Sequence, residues 1–264
     1  MAVSKLNISI QFSEKEQRVG QLIQDGREVL FKYDEDYLAK GFNLSPKKLP
    51  FGNEVQTGPI RPFEGMFGVF ADSLPDAWGQ LLLKAQLTKK KVAIESLTMI
   101  DRLAFVGNNG PGALIYKPSL YEQNEGLKAI ELDALANVAS ETLKGQSSDV
   151  LDELFGQGGS PGGARPKLYV SYNQLDDSLL SSGVSLPENH EHWILKFAAT
   201  DDALDIASIE LAYYYMALEA GIKMNNCKLF TGASGKKYFG TKRFDREGNQ
   251  RVHMLSVAGL IHDD

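Results

Sequence analysis

Apolar and polar residues alternate through the opening "LNISIQF" and again through "RVGQLIQDGREVLFKYD". A period of two puts every second side chain on one face, so both segments predict half-buried strands. Between two apolar runs, Asp25-Gly26 predicts a hairpin turn. The stretch "LSPKKLPFGNEVQTGPIRP" is rich in Pro and Gly and reads as loop. The period then lengthens in "FEGMFGVFADSLPDAWGQLLLKAQL". Asp72 or Ser73 can cap a helix there, with Pro75 and Asp76 in its first turn and Trp78, Leu81, Leu82 and Ala85 on its buried side. Residues 94–106 continue the helical pattern until "GNNGPG" breaks it before the short strand "ALIYKP".

The second half repeats this mixture. Residues 129–155 predict one or two helices on the spacing of Leu132, Leu135, Ala136, Val138, Ala139, Leu143 and Leu151. A glycine cluster follows, then the strand "PKLYVSY", a polar loop to residue 190, and the strand "HWILKFA". A helix from about Asp202 to Ala220 buries Ile206, Ile209, Tyr213, Met216 and Ala220 and stops at Gly221, well placed as a C-terminal cap. The strands "CKLFTG" and "KKYFGTKRFD" end the patterned region. This order predicts an α+β fold. A boundary in "PSLYEQNEGLK" divides it into residues 1–122, a small sheet with helices, and residues 123–264, an antiparallel sheet with one prominent helix.

Composition narrows the setting. The chain has 264 residues, enough for one large or two modest domains, and a net charge of −6. That sign argues against autonomous nucleic-acid binding, which needs a basic face. Cys227 is the only cysteine and cannot form an internal disulfide, which favours a reducing, cytoplasmic compartment. The first twelve residues have a strand pattern rather than the apolar core of a signal peptide. No apolar run approaches the ~20 residues of a membrane span.

Few residues are candidates for chemistry. In "GQGGSPGGARPKLYV" five glycines and two prolines precede a strand. The cluster is either a surface linker or a loop whose N–H groups close around phosphates. Lys167 stands at the mouth of the strand beside it. In "HWILKF", Trp193, Leu195 and Phe197 share one face, and Ile194 and Lys196 the other. A lysine in so apolar a strand is either an edge residue that snorkels or a phosphate ligand. Glu210 borders the apolar side of the following helix. It is either an ordinary surface glutamate or the carboxylate that fixes Lys196, as a helix glutamate fixes the phosphate-binding lysine of kinases. Capping and dipole complementation account for Asp72 and Asp76. His190, His192, His253 and His262 include no metal-ligand pair, and Ser160 lacks a hydrolase nucleophile context.

Taken in order, these segments resemble the HipA-type serine/threonine kinases, the toxin halves of bacterial toxin–antitoxin pairs. "FKYDEDYL", "LSPKKLPF" and "FGVFADSLPDAWGQLLL" are similar to that family's amino-terminal subdomain, and "GNNGPGALIYKP" to its Gly-Ala-Leu junction. "SPGGARPKLYV", "HWILKF", "IELAYYYMALEAGI" and "TKRFDREGNQRVHM" follow its kinase amino-terminal lobe.

The resemblance implies roles for particular residues. Ser160 matches an autophosphorylation site, and Gly162, Gly163, Ala164, Arg165, Pro166 and Lys167 match the phosphate-binding loop. Pro161 with Gly162, and Arg165 with Pro166, depart from the usual loop residues. Lys196 matches the lysine on the ATP phosphates, with Glu210 supporting it. Lys242, Arg243 and Phe244 match the hinge that holds adenine through backbone contacts, although the family commonly has an acidic residue where Lys242 stands. ATP and Mg²⁺ are the implied cofactors, a translation-related protein the substrate, and a helix-turn-helix antitoxin the partner. The catalytic aspartate and the magnesium ligands of the family lie in a carboxyl-terminal lobe, and no matching motif occurs before Asp264. The expectation is therefore an amino-terminal portion of such a kinase, inactive by itself. A non-catalytic module that docks an antitoxin-like partner is the alternative.

Overall fold

A computed structural model describes residues 3–120, 126–145, 163–183 and 185–263. It is a mixed α+β structure with antiparallel sheets, in two compact units that are each discontinuous in sequence. The first comprises residues 1–75, 93–122 and 250–264, and the second residues 76–92 and 123–249. Among the described residues no helix is long and apolar enough to cross a membrane.

The first unit is built on strands β1 (Lys5–Gln11), β2 (Glu16–Asp25), β3 (Glu28–Tyr33), β4 (Gln56–Thr57) and β5 (Leu114–Lys117), in the order β4-β3-β2-β1-β5. Pairing of Asp25 with Glu28 leaves Gly26 and Arg27 as the turn, with Gly26 at φ +58°. The expected hairpin is present, and glycine sits where the turn needs a positive φ. Leu6, Ile8 and Ile10 of β1 are buried against Phe31, Phe67, Phe70 and Leu103 in one core. Around this sheet lie helices α1 (Glu35–Lys40), α2 (Gly68–Ala71) and, later in the chain, α4 (Met99–Val106). Thr98 and Asp101 form a reciprocal capping box at the start of α4.

Helix α3 (Ala77–Lys89) belongs to the second unit and starts later than its sequence predicts. Its N-cap is Asp76, which accepts from the N–H of Gly79 at 2.8 Å. Asp72 instead accepts from the backbone N–H and the hydroxyl of Ser256, both at 2.6 Å. Its buried side is formed by Trp78, Leu82, Leu83 and Leu87, and Leu81 is exposed.

In the second unit α3 and α5 (Leu132–Leu143) supply apolar side chains to the core of a second five-stranded sheet. Its strands are β6 (Lys167–Asn173), β7 (Leu179–Ser181), β8 (His190–Lys196), β9 (Cys227–Thr231) and β10 (Lys237–Lys242), in the order β7-β6-β8-β10-β9. Strand β7 lies in a segment whose polarity predicts loop. Leu168 and Val170 of β6 and Trp193 and Leu195 of β8 share the core with Trp78, Leu82 and Leu135. Trp78 also donates its indole N–H to the carbonyl of Lys167 at 3.0 Å, tying α3 to the first residue of β6.

Helix α6 (Ile206–Glu219) corrects a second expectation. Of its residues only Ala207 is buried, and Ile209, Tyr213 and Met216 are exposed. The helix is apolar on every side, so no periodicity distinguishes the face it presents to β9 and β10. Gly221 after it has φ +77°, the left-handed conformation of a C-terminal cap.

The Trp78 contact generates a prediction. Replacing Trp78 by Phe keeps most of the ring volume and leaves the buried Lys167 carbonyl without its donor. A loss of about 1–3 kcal/mol in unfolding free energy is expected, the cost of an unsatisfied buried group. Urea denaturation of the whole chain measures it. Stability within roughly 0.5 kcal/mol of the parent, the range of a bland surface change, would show that the bond contributes little.

Candidate functional site

Register in the second sheet decides where the candidate residues meet. Lys167 of β6 lies directly opposite Lys196 of β8, and Lys196 directly opposite Phe239 of β10. Like charges in direct cross-strand pairs repel, so each ammonium needs its own counter-charge. The Lys196 ammonium is 2.5 Å from Glu210 of α6 and also lies 5.2 Å from the centre of the Phe239 ring. The Lys167 ammonium donates to the Gly163 carbonyl at 2.6 Å and to Asp76 at 3.3 Å. Two helices thus supply one carboxylate each to two adjacent strands.

The two lysines differ in exposure. The Lys196 side chain is about one-third exposed, whereas that of Lys167 is 4% exposed. Burial pulls the Lys167 pKa down, Asp76 works against that pull, and the nearby Lys196 charge adds to it, leaving a net lowering. Asp76 has a double task. One oxygen caps α3 and the other holds the lysine.

Arg165 completes the cluster. It meets Asp202 at 2.7 Å and approaches Glu210 at 4.0 Å, so Glu210 stands between Arg165 and Lys196. Asp202 is fixed in turn by the N–H of Ala199 at 2.7 Å. Gly163 adopts φ +106°, which favours glycine, and Ala164 beside it is exposed. Pro166 is buried, and its carbonyl accepts from the N–H of Phe197 at 2.9 Å. Ser160 and Gly162 lie outside the described residues. The chemical character of the cluster is clear: three cations converge, each held by carboxylates that an anionic ligand could replace.

The last residue of β10 and the two that follow it have other engagements. Lys242 is the cross-strand partner of Trp193, which alternation sets on the opposite face from Lys196. Its ammonium meets Glu191 at 2.6 Å, and its N–H donates to the Asn226 carbonyl at 2.8 Å. The Arg243 N–H donates to the His192 carbonyl at 2.9 Å. The Arg243 guanidinium is buried, forks onto Asp245 at 2.8 and 2.7 Å, and stacks 3.6 Å over the Tyr169 ring. Arg246 bonds the same carboxylate at 2.8 Å. Burial alone would weaken the Arg243 charge, but Tyr169 and Asp245 outweigh it and raise its pKa. Phe244 is exposed. Among the described residues no group of three or more His, Cys, Asp or Glu side chains could hold a metal ion.

Sequence reasoning brought Lys167, Lys196, Glu210 and the glycine turn together but missed Asp76, Asp202 and the buried Arg243–Asp245–Arg246 group. Asp76 is 91 residues from Lys167. Its capping position explained it fully at the local level, so no signal remained to reveal the second bond.

Asp76→Asn separates the two tasks, because asparagine also caps helices well but cannot balance a charge. The variant should lose about 1–3 kcal/mol at neutral pH, the cost of leaving a buried donor poorly satisfied. The sign of the pH dependence follows from the lowered Lys167 pKa: its charged form is the one that folding penalises. The deficit is therefore full while the lysine is protonated and shrinks as pH rises through its folded-state pKa. Denaturant unfolding at neutral pH and at about pH 9.5, just below the free lysine value, provides the comparison. A deficit that stayed constant or grew over that interval would contradict the ion-pair account.

Comparison with protein families adds an independent finding. A HipA N-terminal domain model matches residues 11–117, and a HipA-like C-terminal domain model matches residues 159–264. No curated protein matches the chain. The second match contains Arg165, Lys167, Lys196 and Glu210, and the order of the two matches is that of the family's domains. The chain belongs to the HipA-like family.

Proposed function

We propose that the face carrying Lys167 and Lys196 binds the phosphates of ATP and that the chain serves a protein serine/threonine kinase of the toxin–antitoxin type. The observation that carries this reading is the 2.5 Å pair between Lys196 on β8 and Glu210 on α6. In kinases a strand lysine and a helix glutamate in this relation orient the lysine for the nucleotide phosphates. Lys167, directly opposite, and Arg165, beside Glu210, supply further donors. The donor set fits a triphosphate, since three cations on one cluster can exchange carboxylate oxygens for phosphate oxygens.

Within this proposal adenine is held through backbone contacts of the hinge residues Lys242, Arg243 and Phe244, of which Phe244 is exposed beyond β10. The Lys242 and Arg243 N–H groups are already donated, to the carbonyls of Asn226 and His192. Magnesium enters with ATP and neutralises charge on its phosphates. The ammonium groups and the turn at Gly163 position the nucleotide. A translation-related protein as phosphoryl acceptor and a helix-turn-helix antitoxin as inhibitor belong to the same proposal and rest on family membership. So does phosphorylation of Ser160, which would add up to two negative charges three residues before Gly163 in sequence and oppose ATP.

Lys196→Ala should weaken ATP binding by about 1.5–3 kcal/mol, the worth of a hydrogen bond to a charged group. The fold should persist, because the side chain is about one-third exposed and outside the apolar core. Calorimetric titration of the whole chain with ATP and magnesium reads the loss, and circular dichroism checks the fold. Unchanged affinity in a folded variant would remove Lys196 from the nucleotide site and the proposal with it.

A further inference from the structure

The segment from Val252 to His262 belongs to the first unit and carries two of the chain's histidines. It contains the short helix α7 (Val257–Ile261), whose N-cap Ser256 accepts from the Gly259 N–H at 2.8 Å. Ser256 also donates twice to Asp72, the residue that ends α2. Helices α2 and α7 meet backbone to backbone. A Cβ added to Gly68 would lie 2.1 Å from the Gly259 carbonyl oxygen, so the approach requires glycine.

Each histidine of the segment is engaged in a way that requires a neutral ring. His262 caps α7 in the left-handed conformation, φ +56°, and its Nε2 lies 2.9 Å from the Gly68 N–H. A backbone N–H only donates, so Nε2 offers a lone pair and Nδ1 carries the proton. An imidazolium has no lone pair and would set one N–H against another. His253 is the converse case. Its Nε2 lies 3.2 Å from the Leu44 carbonyl, which only accepts, so Nε2 carries the proton. Nδ1 is buried without a hydrogen-bond partner. A proton there would be a buried charge on a donor with nothing to receive it, which is costly.

The surroundings do not compensate. Burial lowers the His262 pKa, and the charge of Lys48 lowers it further. Burial also lowers that of His253, against the opposing pull of the Leu44 carbonyl and Asp72. Phe63 meets the His262 ring edge-on at 5.6 Å, and Phe42 the His253 ring at 5.7 Å, and neither brings charge. The turn at Gly112, which faces Met254, contains no ionisable residue. Arg251, just before the segment, bonds the Asn108 carbonyl at 2.8 Å. Lys40, Lys47, Arg61, Glu64 and Asp263, the other charges on these neighbouring stretches, are exposed.

We propose that residues 253–262 form an acid-sensitive latch, docked on α2 through two neutral histidines and released when they gain protons. Both rings bind a proton less readily in the docked segment than in a free one, so release takes protons up. Docking is therefore fully present above the ordinary histidine pKa and is lost as pH falls through the lowered values. The latch uses no residue of the Lys196 cluster, so it stands whatever that cluster binds.

Two measurements on the whole chain test this. NMR titration of the His253 and His262 rings should place both below the ordinary value of about 6.5. Hydrogen exchange of the Gly68, Leu260 and His262 amides, corrected for the intrinsic rate, is compared at about pH 7.5 and about pH 5, on either side of that value. Their protection should fall about five- to tenfold, as expected when a docked segment loses a hydrogen bond. Amides of β1 and β2 should keep theirs. In the double variant His253→Gln, His262→Gln, the side-chain amides can replace both bonds but take up no proton, so the fall should vanish. A ring that titrates at or above the ordinary value would overturn the proposal. So would protection that does not fall, a fall shared by β1 and β2, or one that persists in the double variant.

Discussion

Two lysines directly opposite each other on adjacent strands are the constraint around which the second unit is organised. Their register is fixed by the apolar residues beside them, since a one-residue slip would take Leu168 and Leu195 out of the core. With register fixed, repulsion between the ammonium groups has to be met where they stand. Asp76 at the start of α3 meets one, and Glu210 on α6 meets the other. Helix placement and charge balance are thus one problem. The same residue that accepts the Trp78 bond through its backbone carries the ammonium that Asp76 holds.

The charged groups further along the sheet are handled differently. Arg243, Asp245 and Arg246 are almost wholly buried, with the Arg243 guanidinium flat on Tyr169. Removing one partner from such a group leaves an uncompensated buried charge, which costs far more than the pairing itself contributes. These residues are therefore suited to fixing the turn after β10 rather than to moving with a ligand. Lys196 and Glu210, partly open to solvent, are suited to exchange. Family membership and the Lys196–Glu210 geometry rest on different kinds of observation: one on two domain matches along the chain, the other on the distance between two side chains.

Legibility in the sequence followed the locality of the signal. Strands β1, β2, β3, β8 and β10 were readable because alternation acts within six or seven residues. The turn at Gly26 and the cap at Gly221 were readable because only glycine enters the left-handed region freely. Strand β7, three residues in a polar stretch, was not, since its existence depends on pairing with β6. The buried face of α6 was misread because a helix that is apolar on all sides has no moment to follow. At the site, strand lysine, helix glutamate and glycine turn were legible as types, and their order pointed to the family.

By itself the sequence determined the class of fold, the two lysines as the residues most in need of explanation, and the family, because each depends on local pattern or on order along the chain. Tertiary structure alone decided that Asp76 is the partner of Lys167, that Asp202 anchors Arg165, and that Lys242 and Lys196 serve opposite faces of one sheet. The reason is physical. A cap, an alternation or a turn is specified by neighbours in sequence, whereas an ion pair across 91 residues is specified by register and helix docking. Those exist only once the core has formed.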